Sequence, residues 1–274
     1  MGKCFDEMSE ETTESVWRWN QRRLETLGLY RGDIDGDPGR LTARAVRELL
    51  KGSRFPVSAS RLPVSGSQDP GWCSGDADDE GKLVVALDPG HGMGNRRAGR
   101  YDPGAVARGV AGADLTEADV VLRWALDLGV MLERCGARVF LTRVDGHQSA
   151  PLRGRVPAAR AAGADVLVSL HCNAYNGEAN GTETFYRGAA NRPLAKAVNG
   201  AVVEALGTRS RGVKIEEQSQ HRRLAVLDFP QACLLEIGFL DHAGNRAKMM
   251  DTRLRLAACE GLAGAILQEG KRER

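Results

Sequence analysis

The sequence predicts an α/β domain, a mostly parallel sheet flanked by helices, preceded by a small all-α domain at the N-terminus. Three observations carry this reading. From Lys82 to about Gln268, short apolar runs of strand length alternate with longer segments of helical period, as βα units do. From about Glu11 to Phe55 the period is helical, broken by one Gly-rich turn. Between them, Pro56, Pro63 and Pro70 stand among serines and glycines, and the stretch ends in the acidic run Asp76 to Glu80. It has no period and reads as a linker. The expected boundaries are therefore 11–55, 56–81 and 82–268.

Taken in order, the N-terminal unit carries one helical stripe on Val16, Trp19, Leu24 and Leu27 and a second on Leu41, Ala45, Val46, Leu49 and Leu50. The turn between them, Tyr30 to Gly39, has the Gly, Asp and Pro residues of a tight loop. The larger unit opens with a strand over Leu83 to Leu87, leading into Asp88-Pro-Gly-His-Gly92. A helix follows with Glu117, Val121, Trp124, Leu128 and Met131 on one stripe. Strands are expected at Arg138 to Thr142, Asp165 to Leu170, Gly181 to Tyr186 and Ala232 to Ile237. Helices are expected at Val156 to Ala162, Pro193 to Leu206 and Arg253 to Leu267. The stretch Arg209 to Lys214 reads as a basic loop.

Bulk composition excludes several classes. The 274 residues carry 38 basic and 36 acidic side chains, a formal net charge of +2. That balance, with no aromatic platform beside the basic loop, argues against nucleic-acid binding. No apolar run approaches the roughly 20 residues of a membrane span, so no membrane insertion is expected. The first residues lack an apolar signal-peptide core. The expectation is synthesis in the cytoplasm, with action elsewhere requiring release or lysis. Six cysteines are scattered without a C-x-x-C pair, which is no disulfide framework and no cysteine metal knuckle. Cys135, Cys172, Cys233 and Cys259 lie in apolar stretches and are expected to be buried. Nothing in the sequence specifies an oligomeric state.

Three of the strands end in an ionisable residue: His91 after the first, His171 in Ser169-Leu-His-Cys-Asn173, and Glu236 in Leu234-Leu-Glu-Ile-Gly238. Parallel strands bring such ends to one edge of the sheet, where sites of α/β proteins form. Glu117 opens the first helix on its sheet-facing stripe, near the same edge. Two imidazoles and one carboxylate form a common set for catalytic zinc, and a further carboxylate can move protons. His91, Glu117 and His171 are thus candidate ligands for Zn2+, and Glu236 is the candidate base. On spacing alone Glu117 equally fits a capping box, Asp114-Leu-Thr-Glu117. His171 alone could be a hydrogen-bonded core histidine. Glu236, between leucines and an isoleucine, is the residue whose burial most demands a purpose. Cys172 should point away from His171, to the opposite face. His147, His221 and His242 are expected to be exposed loop residues.

These residues lie in ordered motifs. They are Asp-Pro-Gly-His-Gly at 88–92, Asp-Pro-Gly-Ala at 102–105, Glu-Ala-Asp-Val at 117–120 and Phe-Leu-Thr-Arg at 140–143. Ser-Leu-His-Cys-Asn-Ala at 169–174, Arg-Gly-Val-Lys at 211–214 and Leu-Glu-Ile-Gly-Phe-Leu at 235–240 complete the set. From Leu83 to about Met250 the chain resembles the zinc-dependent N-acetylmuramoyl-L-alanine amidases of the amidase 3 type. The resemblance implies zinc on His91, Glu117 and His171 and catalysis by Glu236, and it lifts Glu117 from cap to ligand. Cys172 departs from the smaller residue usual there, and Gly94 to Tyr101 departs from a compact loop.

The N-terminal unit is similar to the small three-helix peptidoglycan-binding module, through Asn20-Gln21, Leu24, Leu27-Gly28, Tyr30, Ile34-Asp35-Gly36, Thr42 and Ala45-Val46. The implied activity is hydrolysis of the bond between N-acetylmuramic acid and L-alanine, with peptidoglycan as the partner. A phage endolysin, an autolysin and a sporulation enzyme are all compatible sources. Two rival readings stand beside it, a zinc peptidase acting on stem peptides and a catalytically dead wall-binding protein.

Overall fold

In a computed structural model the chain is described at residues 81–110 and 113–270. The expected helical module at 11–55 and nearly all of the linker at 56–81 lie outside the described residues. Among those described, six strands form one sheet, and two short hairpins stand beside it.

The first strand, β1 (Val84–Pro89), runs into the hairpin of β2 (Gly92–Met93) and β3 (Tyr101–Asp102). A second hairpin, β4 (Val106–Val110) and β5 (Ala113–Thr116), leads into helix α1 (Glu117–Arg134). Strand β6 (Arg138–Leu141), helix α2 (Arg155–Ala161), β7 (Val166–Asn173) and β8 (Thr182–Tyr186) follow. The chain continues through α3 (Arg192–Leu206), β9 (Ser210–Ile215), β10 (Ala232–Phe239), α4 (Ala243–Met250) and α5 (Thr252–Gly270). The sheet order is β6-β1-β7-β10-β8-β9. Every neighbouring pair is parallel except β10 with β8, so the mostly parallel sheet expected from the sequence is present.

Apolar alternation fixes the two faces. Val85, Leu87, Val168, Leu170, Cys172, Cys233, Leu235 and Ile237 pack on one face beneath α1, α3 and α5. Ala86, Leu167, Phe185 and Leu234 pack on the other, beneath α2 and a turn containing Val226 and Leu227. Trp124 plugs the first layer, its indole nitrogen donating to the Met249 carbonyl at 3.1 Å, so the largest buried ring leaves no polar atom unmatched. Cys172 turns into that layer as expected, its sulfur 3.8 Å from that of Met249. Burial there pushes its thiol well above the ordinary range, helped by the charges of Glu117 and Glu236. Cys135 is only half-buried, because it caps the exposed end of α1 rather than lying in an element.

Three expectations need correction. The basic stretch Arg209 to Lys214 is not a loop but largely the edge strand β9, parallel to β8. An edge strand buries little, so its sequence lacks apolar alternation. The helix starts at Glu117 as expected, but the capping box from Asp114 is not formed: Thr116 is the N-cap of α1 and accepts from the Asp119 amide at 3.2 Å, which frees Glu117 from capping. His242 is half-buried rather than exposed, because its Nδ1 accepts from the Asn245 amide and caps α4. His147 and His221 are exposed, as expected.

Candidate metal centre and active site

His91 follows β1 across Gly90 and takes a left-handed conformation at φ 60°. A non-glycine residue stays there only when its surroundings hold it. Two buried guanidinium groups do so. Arg155 donates to the carbonyls of Pro89 at 3.0 Å and His91 at 2.7 Å, and to Asn95 Oδ1 at 3.1 Å. Arg143 donates to the carbonyls of Pro89 at 2.9 Å, Gly90 at 2.8 Å and Ala118 at 2.7 Å. The counter-charge is Asp88, fully buried at the end of β1, which accepts from Arg155 at 2.5 Å, Ser169 at 2.6 Å and Thr142 at 2.5 Å. Burial alone would raise the pKa of Asp88. The Arg155 charge and the two hydroxyls outweigh it and hold the carboxyl below its ordinary range. Among the described residues Arg143 forms no ion pair, and burial next to Arg155 lowers its pKa to about 10.

The ligating atoms of His91, Glu117 and His171 lie within 4.8 Å of one another. Glu117 Oε1 is 3.2 Å from His91 Nε2 and 2.9 Å from His171 Nδ1, and it also accepts from the Cys172 amide at 2.9 Å. Its other oxygen accepts from the Ala105 amide at 2.8 Å. Burial opposes the charge on Glu117, but the hydrogen bonds from His171 and His91 prevail and hold its pKa far below the ordinary value. Glu117 is therefore an ionised, buried carboxylate facing two imidazoles. The far nitrogen of His91, Nδ1, lies 3.1 Å from Asp102 Oδ2. A carboxylate at Nδ1 requires the proton there, which turns Nε2 toward the centre as a lone-pair donor. Burial would lower the pKa of His91, yet Glu117 and Asp102 raise it above the ordinary value. Asp102 is itself fixed by Asn95 at 2.8 Å and by the Gly104 amide at 3.1 Å. Two nitrogens and one ionised oxygen, converging with a carboxylate behind one imidazole, fit a divalent metal of the zinc kind.

Two glycines keep this centre open. A Cβ at Gly90 would lie 2.2 Å from the His171 ring, and one at Gly104 would lie 2.4 Å from Glu117 Oε2 and 2.7 Å from the His91 ring. Glu236 is the register partner of His171 on the adjacent parallel strand, so both side chains leave the same face of the sheet. Its Oε2 is buried and has no hydrogen-bond partner among the described residues. Burial raises its pKa well above the ordinary carboxylate range, and the charges of Glu117 and Glu183 raise it further. The four residues singled out in the sequence thus gather at one edge of the sheet.

Sequence reasoning gave no role to Asp102, Asn95, Arg143, Arg155 or Glu183. Asp102, Arg143 and Arg211 stood in quoted motifs, but the partners of the two arginines are far away in the chain, and that of Asp102 is reached only through a hairpin. Glu183 pairs with Glu236 in the antiparallel register and accepts from Asn173 at 2.7 Å, Lys214 at 2.5 Å and Arg211 at 3.0 Å. Burial works against its charge, but these three donors outweigh it and lower its pKa.

Comparison with known proteins agrees with this geometry. Residues 85–268 match the model of a family described as N-acetylmuramoyl-L-alanine amidase. The chain is 32% identical over 191 residues to YqiI, an uncharacterized protein of Bacillus subtilis, covering 68% of this chain and 84% of that one. It is 30% identical over 173 residues to the N-acetylmuramoyl-L-alanine amidase LytC of the same organism, but this spans 61% of the chain and only 31% of LytC. Among solved structures, the catalytic domain of CwlV, an N-acetylmuramoyl-L-alanine amidase of Bacillus (Paenibacillus) polymyxa, superposes with a TM-score of 0.58 at 28% identity, covering 68% of this chain and 97% of that one. The fold, the ligand cluster and the matched residues agree: this chain belongs to the N-acetylmuramoyl-L-alanine amidase family.

Proposed function

We propose that residues 82–268 hydrolyse the amide bond between N-acetylmuramic acid and the L-alanine of the stem peptide, with zinc held by His91, Glu117 and His171. One observation carries the mechanism. A carboxylate whose buried Oε2 has no hydrogen-bond partner among the described residues, Glu236, stands in register beside a ligand histidine. Zinc, when bound, supplies Lewis-acid polarisation of the scissile carbonyl and lowers the pKa of the attacking water.

The chain's own groups do the rest. Glu117 brings the negative charge that a divalent cation needs in a buried site. Asp102 keeps the His91 proton on Nδ1. Glu236, raised in pKa, accepts the proton of the attacking water and returns it to the leaving amine nitrogen. No serine or cysteine nucleophile is required, and Cys172 points to the opposite face.

Peptidoglycan is the polymer this reaction implies. The similarity of residues 11–55 to a wall-binding module favours retention on intact walls by that unit. No helix among the described residues is long and apolar enough to cross a membrane. Release by lysis, as for an endolysin, remains our reading of how the chain reaches its substrate.

Mass spectrometry of purified wall after digestion tests the reading. New L-alanine amino termini with intact muramic acid are expected. Cuts within the stem peptide would favour the peptidase reading, and no product would favour a dead wall-binding protein.

A further inference from the structure

Strand β9 breaks its register next to the site. Thr182 on β8 pairs with Ser210, but the next residue, Glu183, pairs with Gly212, so Arg211 is an extra residue on β9. Gly212 takes φ 92°, and a Cβ there would meet nothing within 4 Å, so glycine is needed for its conformation and not for space. In a regular strand, residues 211 and 214 would face opposite sides. The bulge turns Arg211 over, so that its Nε and Lys214 Nζ reach the same oxygen of Glu183, at 3.0 and 2.5 Å. Bulges beside active sites commonly re-aim a side chain in this way.

The guanidinium is then held at two points. Its Nε is committed to Glu183, and its Cζ lies over the Phe239 ring, 4.9 Å from the centroid. Phe239 is itself brought to this face by a second register shift, on β10 between Glu236 and Phe239. The two terminal nitrogens of Arg211 make no hydrogen bond among the described residues. The side chain keeps 31% of its surface exposed. Two cations on one carboxylate leave a net positive charge there. A guanidinium anchored through Nε, with its Cζ over an aromatic ring, leaves its two terminal nitrogens available for a carboxylate to accept from both.

Position decides which carboxylate. Glu236 gives its proton to the leaving amine, so the leaving peptide departs on the Glu236 side of the centre. Glu183 is one strand further along the sheet, and strands lie about 4.8 Å apart. The Arg211 fork is therefore within about two residues of the cleaved bond, at roughly 3.5 Å per extended residue. The geometry points to Arg211, supported by Lys214 and Glu183, as a specificity subsite for a free carboxylate on the leaving peptide. This inference rests on the amidase reading above.

The test uses the full zinc-loaded chain and two soluble muramoyl peptides that differ at one group, an acidic residue next to the released alanine bearing either a free carboxylate or its carboxamide. The wild-type protein should prefer the carboxylate by on the order of 10- to 100-fold in kcat/KM, the range for a charged hydrogen-bonded pair, and mainly through KM. Arg211→Gln should abolish that preference, and Arg211→Lys should restore part of it. Equal turnover of both substrates by the wild-type protein, which needs no variant, would overturn the subsite while leaving the amidase reading intact. An equal loss on both substrates in Arg211→Gln would also overturn it, because that is the behaviour of a merely structural arginine. A wild-type protein that cleaves neither would overturn the amidase reading and the subsite with it.

Discussion

Asp102 Oδ2 lies 3.1 Å from His91 Nδ1, on the side of the ring away from Glu117. The carboxylate therefore determines which nitrogen of His91 can bind metal, and it makes that nitrogen more basic. Partners of this kind are worth about 10- to 100-fold in metal affinity. Asp102→Ala should weaken zinc binding by that factor while the fold stays intact. Competition against a chelator of known affinity measures it, and an unchanged affinity would show that the 3.1 Å contact does not orient the ring.

Gly90 makes a purely steric prediction. Its backbone does not require glycine, but a Cβ there would lie 2.2 Å from the His171 ring. Gly90→Ala should therefore displace His171 and lose metal and activity together. The sheet carries no further demand at this position, so the far-ultraviolet circular dichroism should match the parent. Full zinc occupancy in the variant would mean that the imidazole can be elsewhere and still bind.

Glu236→Gln separates base from ligand. It should lower turnover by on the order of 100- to 10,000-fold with zinc content unchanged. Its stability effect in the metal-free protein has a definite sign. The folded pKa of Glu236 is raised above its ordinary 4.5, so the wild-type protein loses stability as pH rises from that value through the folded pKa. The glutamine does not titrate, so the variant should gain on the wild type over the same pH range. Thermal melts of chelated protein at pH 4 and pH 8 check this. A melting-temperature difference no more favourable to the variant at pH 8 than at pH 4 would contradict it.

Asp88 titrates in the opposite sense. Its folded pKa lies below its ordinary 3.8, so its contribution is complete above that value and is lost as pH falls through the folded pKa. Asp88→Asn keeps one acceptor oxygen, puts an NH2 where the other stood, and leaves the Arg155 charge buried and uncompensated. The expected cost is about 3–5 kcal/mol, the range for breaking one side of a buried pair. Denaturant melts at neutral pH measure it, and a cost below about 1 kcal/mol would indicate that water reaches Arg155.

The sequence made the four site residues legible because three are tied to apolar strands and one to an amphipathic helix. Runs such as Asp165 to Leu170 and Ala232 to Ile237 announce buried parallel strands, and the ends of parallel strands share an edge. Glu117 needed more, since its spacing equally suited a cap until Thr116 was seen to take that role. The residues that hold the site were not legible. Asp102 sits in a two-residue strand without any period, and its contact with His91 depends on hairpin geometry. Arg155 and Asp88 are 67 residues apart, and nothing in their neighbourhoods links them. Strand β9 carries charges where a buried strand would carry valines, so it passed for a loop. Its bulge depends on one positive φ, which residue type hints at but pairing alone reveals.

The clamp of Arg143 and Arg155 on the carbonyls of Pro89, Gly90 and His91 is made entirely of groups that belong to the chain. Small zinc domains whose ligands lie on otherwise unsupported loops collapse when stripped of metal. Here the loop before the first hairpin keeps its shape by its own cations. Exposure to a chelator should thus silence the protein without unravelling it, and returning zinc should revive it at the speed of ion capture rather than of refolding. Inactivity by metal starvation is then a pause and not a loss.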